Sequence, residues 1–276
     1  MKVLNDFYTL SNGIKIPKLG FGTWQVPDGD VAYHSVSLAL KNGYRHIDTA
    51  AAYKNEASVG QAIRDSKIPR EEIFVTSKLQ SHIKSYDEAL KAFDKTMEAL
   101  DLEYLDLYLI HAPWPWNEIG KDCSVGNVEA YKAMEKVYKE GRVRAIGVSN
   151  FGPKELDNII NNCEIVPHAN QIAFFIGHNQ KETDNYCKEK NILIEAYSPL
   201  AIGHALSNEQ IQKMAKKYKV TPAQICLRYC IQKETLPLPK STHESRIVEN
   251  TKLDFEISVK DMKELDKIDD DPRKWE

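Results

Sequence analysis

Residues 73–79 read Ile73-Phe-Val-Thr-Ser-Lys-Leu79, residues 85–100 run from Ser85 to Leu100 with helical spacing and charged faces, and residues 104–111 read Tyr104-Leu-Asp-Leu-Tyr-Leu-Ile-His111. A short β-branched apolar run, a longer amphipathic segment and a second apolar run make a βαβ unit, which sets its two strands parallel. The unit repeats on both sides of this stretch. Further apolar runs at 19–23, 44–49, 143–150, 168–172, 192–198 and 236–241 bring the number to eight. Helical segments at 30–41, 56–64, 128–139, 153–161, 180–190, 208–217, 221–232 and 245–252 alternate with them.

Eight such units without a composition break or a long Gly/Ser linker predict one α/β domain over residues 1–276, a single (β/α)8 TIM barrel with its helices outside. A doubly wound open sheet is the competing architecture. Gly20-Phe-Gly22 lacks the third glycine of the dinucleotide fingerprint, because Gln25 stands there, and no acidic residue closes a matching second strand. Ahead of the first unit, residues 7–10 and 14–17 flank Ser11-Asn12-Gly13, and the Asn-Gly pair predicts an N-terminal β-hairpin.

The chain has 276 residues, with 37 Lys plus Arg against 40 Asp plus Glu and a formal net charge of -3. Its lysines are scattered among acids, so there is no basic face for nucleic acid. No run approaches the ~18 apolar residues of a membrane span. Residues 1–10 lack the apolar run of a secretion signal, so the expected location is the cytoplasm. The five cysteines form neither a C-x-x-C pair nor a zinc spacing, so no metal site is expected. Cys226 and Cys230 fall one helical turn apart and read as buried thiols. No heptad or large apolar stripe asks for a second copy, and a monomer is expected.

In a parallel barrel, polar residues at the C-terminal ends of strands face the active site. Here the runs end at Asp48, Lys78, His111, Ser149-Asn150, Asn170-Gln171, Tyr197-Ser198 and Lys240-Ser241, with Tyr53 five residues beyond Asp48. Such groups suit proton transfer to a carbonyl oxygen. A free phenol titrates near ~10 and becomes a useful acid when a neighbouring cation stabilises the phenolate. Lys78 would be that cation, Asp48 would fix it, and His111 would add a donor to the same oxygen. Nothing in the polypeptide supplies a hydride, so a nicotinamide cofactor is required.

The sequence resembles the aldo-keto reductase family from about residue 10 to residue 265. The matching text is Gly43-Tyr-Arg-His-Ile-Asp48-Thr-Ala, Ala52-Tyr53-Lys-Asn-Glu56, Val75-Thr-Ser-Lys78-Leu, Asp106-Leu-Tyr-Leu-Ile-His111 and Arg144-Ala-Ile-Gly-Val-Ser-Asn150-Phe. It continues through Asn170-Gln171, Ala196-Tyr-Ser-Pro-Leu200 and Pro239-Lys240-Ser241, followed by Arg246, Glu249 and Asn250. The resemblance implies NADPH-dependent reduction of aldehydes or ketones to alcohols, with Asp48, Tyr53, Lys78 and His111 as the catalytic tetrad and Tyr53 as the general acid. It further implies that Ser149, Asn150 and Gln171 hold the nicotinamide carboxamide and that Tyr197 stacks on the ring. Ser198, Leu200, Lys240, Ser241, Arg246, Glu249 and Asn250 would hold the phosphates and adenosine, with Lys240 and Arg246 placing two cations at the phosphate that distinguishes NADPH from NADH.

The chain also departs from the family. His111-Ala-Pro-Trp114-Pro-Trp116 replaces the frequent His-Trp-Pro, Gln80 stands where a tryptophan is common, and Ala173-Phe174-Phe175 follows Ile172 in place of Glu-Tyr-His. These changes fall on the substrate pocket, for which Trp24, Ala52, Gln80, Trp114 and Trp116 are the candidates. A partly polar, open mouth favours small dicarbonyls, aromatic aldehydes and sugar-like aldehydes over long rigid steroids. Two other classes compete. Relatives on this fold serve as channel subunits or lens proteins, and Gly147-Val-Ser149-Asn-Phe-Gly152 comes near a hydrolase elbow, with Phe151 where the tight turn wants Gly.

Overall fold

The computed structural model describes residues 3–269. A hairpin of β1 (Phe7–Thr9) and β2 (Lys15–Pro17) precedes eight parallel strands. These are β3 (Phe21–Gly22), β4 (His46–Asp48), β5 (Phe74–Leu79), β6 (Leu105–Ile110), β7 (Val143–Ser149), β8 (Ala169–Ala173), β9 (Leu193–Tyr197) and β10 (Leu236–Leu238). Each pairs with its sequence neighbour in the order β3 to β10. The ring closes where Gly20 N donates to Pro237 O at 3.1 Å and Gly22 N to Pro239 O at 3.0 Å. Gly20 makes that closure possible, because a Cβ there would sit 2.4 Å from Leu238 Cδ2 and 2.7 Å from His46 Nδ1. The architecture is the (β/α)8 barrel expected, with its N-terminal hairpin.

The helices between strands are α1 (Asp30–Lys41), α2 (Glu56–Asp65), α3 (Tyr86–Leu100), α4 (Ser124–Lys139), α5 (Pro153–Asn162), α6 (Lys181–Glu189), α7 (Glu209–Tyr218) and α8 (Pro222–Gln232). After the last strand come α9 (Glu244–Glu249) and α10 (Val259–Leu265). Local chemistry sets the ends: Thr221 and Gln224 form a reciprocal capping box at 2.9 and 3.3 Å ahead of α8, and the Asn208 side chain caps α7. Cys226 and Cys230 are buried on α8, as their spacing suggested. Helix α10 went unpredicted. Only Leu265 of its short apolar stripe is fully buried, and Ser258 caps it while Lys217 and Tyr218 of α7 hold its Asp261. Helix α4 begins four residues earlier than its apolar spacing indicated, because Ser124 to Asn127, with Val125 turned to solvent, form a first turn tied by Asn127 to the Pro113 carbonyl.

Two apolar layers result. The larger lies between the sheet and the helices. The smaller fills the lower barrel, where Leu10 and Ile16 of the hairpin pack against Phe74, Leu107, Leu109, Leu236 and Leu238. Asp106, 1% exposed, ties the strand starts together by accepting from Arg70, Arg144 and Val75 N at 2.7 to 2.9 Å. Above the apolar floor the interior turns polar. No helix among the described residues is long and apolar enough to cross a membrane.

Candidate active site

Strand ends β4 and β5 bring Asp48 and Lys78 together inside the barrel mouth. The Lys78 ammonium, fully buried, donates to Asp48 Oδ1 at 2.7 Å, Asp48 Oδ2 at 2.8 Å and Thr49 O at 2.9 Å, and reaches the Tyr53 hydroxyl at 3.3 Å. Tyr53 is delivered by a short helical turn, Ala51–Tyr53, that follows β4. Its ring stands edge-on to His111, centroids 5.5 Å apart. The four residues separated in sequence thus meet at one place.

Their protonation states follow from burial and pairing. Burial alone would strip the proton from Lys78, but Asp48 and the Tyr53 oxygen reverse this and raise it above its ordinary 10.5. Burial pushes the His111 imidazole down to about 3, and the Lys78 charge adds to the effect, so His111 is neutral near pH 7. For Tyr53 the balance differs from the sequence expectation of a lowered phenol. Burial raises it above 10.0, Lys78 opposes, and Asp48 raises it again. The physical reason is burial, the largest influence, which an ammonium already matched by two carboxylate oxygens does not overcome. Tyr53 therefore keeps its proton near pH 7, as an acid must before it donates.

The residues expected around a nicotinamide are wired into this cluster. Gln171 Nε2 donates to Asp48 Oδ2 at 2.8 Å, Ser149 Oγ donates to Gln171 O at 2.8 Å, and Asn150 Nδ2 donates to His111 O at 3.1 Å. Tyr197 OH donates to Asn150 Oδ1 at 2.8 Å. Asn150 and Ser198 adopt positive φ of 62° and 49°, left-handed conformations that cost energy and place both side chains at the rim. Among the described residues Ser149 has no imidazole partner, and its hydroxyl is turned to a carbonyl, which removes the basis of the hydrolase alternative.

The remaining cofactor candidates lie apart from the tetrad. Leu200 precedes a turn at Ala201–Ser207, Lys240 and Ser241 follow β10, and Arg246, Glu249 and Asn250 belong to α9 and its end. Lys240 and Arg246 are exposed and form no ion pair within the described residues. Glu249 accepts from Thr221 Oγ1 at 2.9 Å, and Asn250 is buried.

Of the pocket candidates, Trp116 stands edge-on to His111 at 5.8 Å, and Trp114 packs on Trp116 at 5.2 Å. Trp24 and Trp116 are each 44% exposed, so both offer ring surface at the mouth. Ala52 is exposed beside Tyr53, and Gln80 is half-buried after β5. Sequence reasoning missed Lys84, whose ammonium donates to Ala112 O at 2.9 Å and Asn127 Oδ1 at 2.6 Å and so anchors the Trp-bearing loop to α4. It also missed Glu195 and His46, buried one strand period below Tyr197 and Asp48. The two-residue alternation of β4 and β9 was the signal that could have found them.

The comparisons with known proteins agree with this geometry. The Aldo/keto reductase family model matches residues 18–270. Glyoxal reductase of Bacillus subtilis is 44% identical over 98% of this chain and 95% of that protein. The glycerol 2-dehydrogenase (NADP(+)) of Saccharomyces cerevisiae is 38% identical over 94% of this chain and 89% of its own. The crystal structure of an aldo/keto reductase from Brucella melitensis superposes with a TM-score of 0.89 at 39% identity, covering 96% of this chain and 99% of that one. A barrel with this set of strand-end residues is an oxidoreductase. The chain belongs to the aldo/keto reductase family.

Proposed function

We propose that the protein reduces aldehydes and ketones to alcohols with NADPH, acting as a single-domain monomer in the cytoplasm. The observation that carries this reading is the Lys78 ammonium, 3.3 Å from the Tyr53 hydroxyl and 2.7 Å from Asp48, next to a neutral His111.

The residues present fit a nicotinamide dinucleotide. Gln171 uses its amide nitrogen on Asp48 and Glu195, which leaves its oxygen as an acceptor for a carboxamide. Ser149 and Asn150 stand beside it, and the exposed Lys240 and Arg246, without an ion pair among the described residues, match a phosphate-rich tail. The bound cofactor supplies the hydride. A substrate carbonyl held between Tyr53 and His111 receives its proton from Tyr53 Oη, while Lys78 stabilises the phenolate left behind. Asp48 keeps Lys78 charged and aimed. The neutral imidazole donates a hydrogen bond without competing as an acid, and its Nδ1 is buried with no hydrogen-bond partner among the described residues. Trp116, and Trp24 on the loop after β3, provide flat surface for small or aromatic carbonyl compounds, in keeping with the dicarbonyl named in the Bacillus relative.

The test is NADPH consumption by the purified chain with glyoxal, benzaldehyde and a sugar aldehyde, repeated with NADH. Steady turnover with NADPH supports the reading. Absence of turnover with every carbonyl and both nicotinamides counts against it.

A further inference from the structure

Two carboxyl groups are sealed in the barrel beside a single ammonium. Asp48 is 3% exposed, Glu195 and Lys78 are fully buried, and both Asp48 oxygens are turned to Lys78. Glu195 projects from the middle of β9, two residues before Tyr197 and on the same strand face. Its Oε2 accepts from Gln171 Nε2 at 3.0 Å, and the same nitrogen donates to Asp48 Oδ2 at 2.8 Å. Its Oε1 has no hydrogen-bond partner. That oxygen faces His46 Nε2 at 3.7 Å, beyond bonding reach, and His46 Nε2 is already engaged with Thr76 Oγ1 at 3.0 Å.

His46 does not supply a charge to balance Glu195. An imidazolium carries two N–H donors, and here Nδ1 is buried without any partner while Gly20 closes over it. A neutral ring satisfies the site better. With His46 neutral and Lys78 matched by Asp48, an ionised Glu195 would be an uncompensated charge in a dry interior, which proteins avoid.

We propose that Glu195 is a positioning residue of the reductase site: it stays protonated beneath the Asp48–Lys78 pair, holds Gln171 by its amide nitrogen, and so leaves the Lys78 charge available to Tyr53. The proposal rests on the reductase reading above. It assigns Gln171 one orientation, because turning the amide over would set its oxygen against the ionised Asp48 carboxylate. It also makes the site sensitive to the loss of a proton no substrate touches.

Glu195 is faced by His46 and Asp48 from β4, Lys78 from β5 and Gln171 from β8, and it acts through space on Tyr53. Burial raises its carboxyl to about 8, Asp48 pushes the same way, and Gln171 and Lys78 oppose. As pH climbs through that range the carboxyl ionises. The new negative charge holds the Tyr53 proton more tightly, the phenol becomes a poorer acid, and carbonyl reduction slows.

Glu195→Gln keeps the shape and the acceptor while removing the ionisation. In the wild type, kcat/KM for NADPH-dependent reduction should fall at least about threefold around pH 8. In the variant it should stay within about threefold of wild type at neutral pH, with the alkaline fall displaced upward by about one pH unit or more. The same alkaline midpoint in both proteins would overturn the proposal, as would a variant inactive at neutral pH. An activity-independent readout is infrared difference spectroscopy of wild type against Glu195→Gln, which subtracts Glu56, the other buried carboxyl raised to about 7. A carboxylic-acid C=O band at neutral pH that vanishes in alkali supports the protonated Glu195, and its absence overturns it. That band in a protein with no turnover would count against the reductase reading alone.

Discussion

Trp116 stands edge-on to His111, with ring centroids 5.8 Å apart and planes at 89°. The contact puts the outer of the two loop tryptophans beside the residue proposed to hydrogen-bond the substrate carbonyl, while Trp114 touches Trp116 and makes no ring contact with His111 among the described residues. Trp116→Ala should raise KM for benzaldehyde by about tenfold, about 1.4 kcal/mol of lost aromatic contact, and leave glyoxal nearly unchanged. Trp114→Ala should do less. An unchanged substrate ranking in both variants would show that the pair only packs the loop.

Lys84 bears on the same wall from behind. Its ammonium is pulled down to about 8 by burial, yet it still bridges the Ala112 carbonyl and Asn127. Lys84→Met should cost about 2 kcal/mol in urea unfolding, since two buried acceptors lose their donor. KM should rise with kcat largely retained, because the loop and not the acid is disturbed.

Tyr53→Phe should lower kcat by about 10²- to 10⁴-fold and leave the NADPH dissociation constant close to wild type, because the phenol acts in the chemical step. Turnover within about tenfold of wild type would remove Tyr53 from the role of acid. Lys78→Met should be as inactive and less stable by about 3 kcal/mol, since it strands Asp48 as a buried, unpaired charge.

Arg246→Ala should weaken NADPH more than NADH. Arg246 and Lys240 are exposed and form no ion pair among the described residues, and each charge-assisted contact with the extra phosphate is worth about 1.5 kcal/mol or more, about tenfold in affinity. Fluorescence titration with both dinucleotides separates the cases. Equal losses would show that Arg246 does not read the phosphate.

Acid stability should depend on two histidines held neutral. His46 and His111 are lowered from 6.5 to about 3, mainly by burial. Above pH 6.5 the imidazoles are neutral in both folded and unfolded chains, so their contribution is fully present. As pH falls toward 3 the unfolded chain gains protons that the folded chain refuses, and each histidine removes about 1.4 kcal/mol per pH unit. His46→Gln should reduce the slope of unfolding free energy against pH by about one proton. An unaltered slope would mean that His46 is not the neutral group described.

Gly147→Ala tests a close approach between β7 and β8. A Cβ there would fall 2.4 Å from the Ala169 carbonyl oxygen and 2.9 Å from Leu109 Cδ2. Rigid backbone on one side and a packed core on the other leave little room to adjust, and about 3 kcal/mol of destabilisation is expected. A change under about 1 kcal/mol would mean that β7 and β8 part more easily than their pairing suggests.

Much of this was legible because strands and helices carry different periods. The strand positions ending at Asp48, Lys78 and His111 could be aligned by register, and the structure sets Lys78 and His111 against Tyr53 with Asp48 on Lys78. The net effect on Tyr53 was not legible, because it depends on how completely Asp48 matches Lys78, a matter of ångströms. Glu195 was passed over because it sits mid-strand, where an alternation of inward residues predicts apolar filling and only pairing across β8 and β9 shows the carboxyl meeting Gln171. Lys84 escaped for a related reason: a lone lysine in a loop reads as surface charge until the loop it anchors is seen.

The hairpin makes the barrel a vessel with one opening. Leu10 and Ile16 stopper its lower end against Leu107 and Leu238, so nothing passes through from below. Two reactants that share such a vessel form a queue, in which the one seated deeper arrives first and departs last. The floor laid by the hairpin of residues 7–17 thereby reaches the kinetics. Product-inhibition patterns would record an order of arrival and departure set by a plug that touches neither reactant.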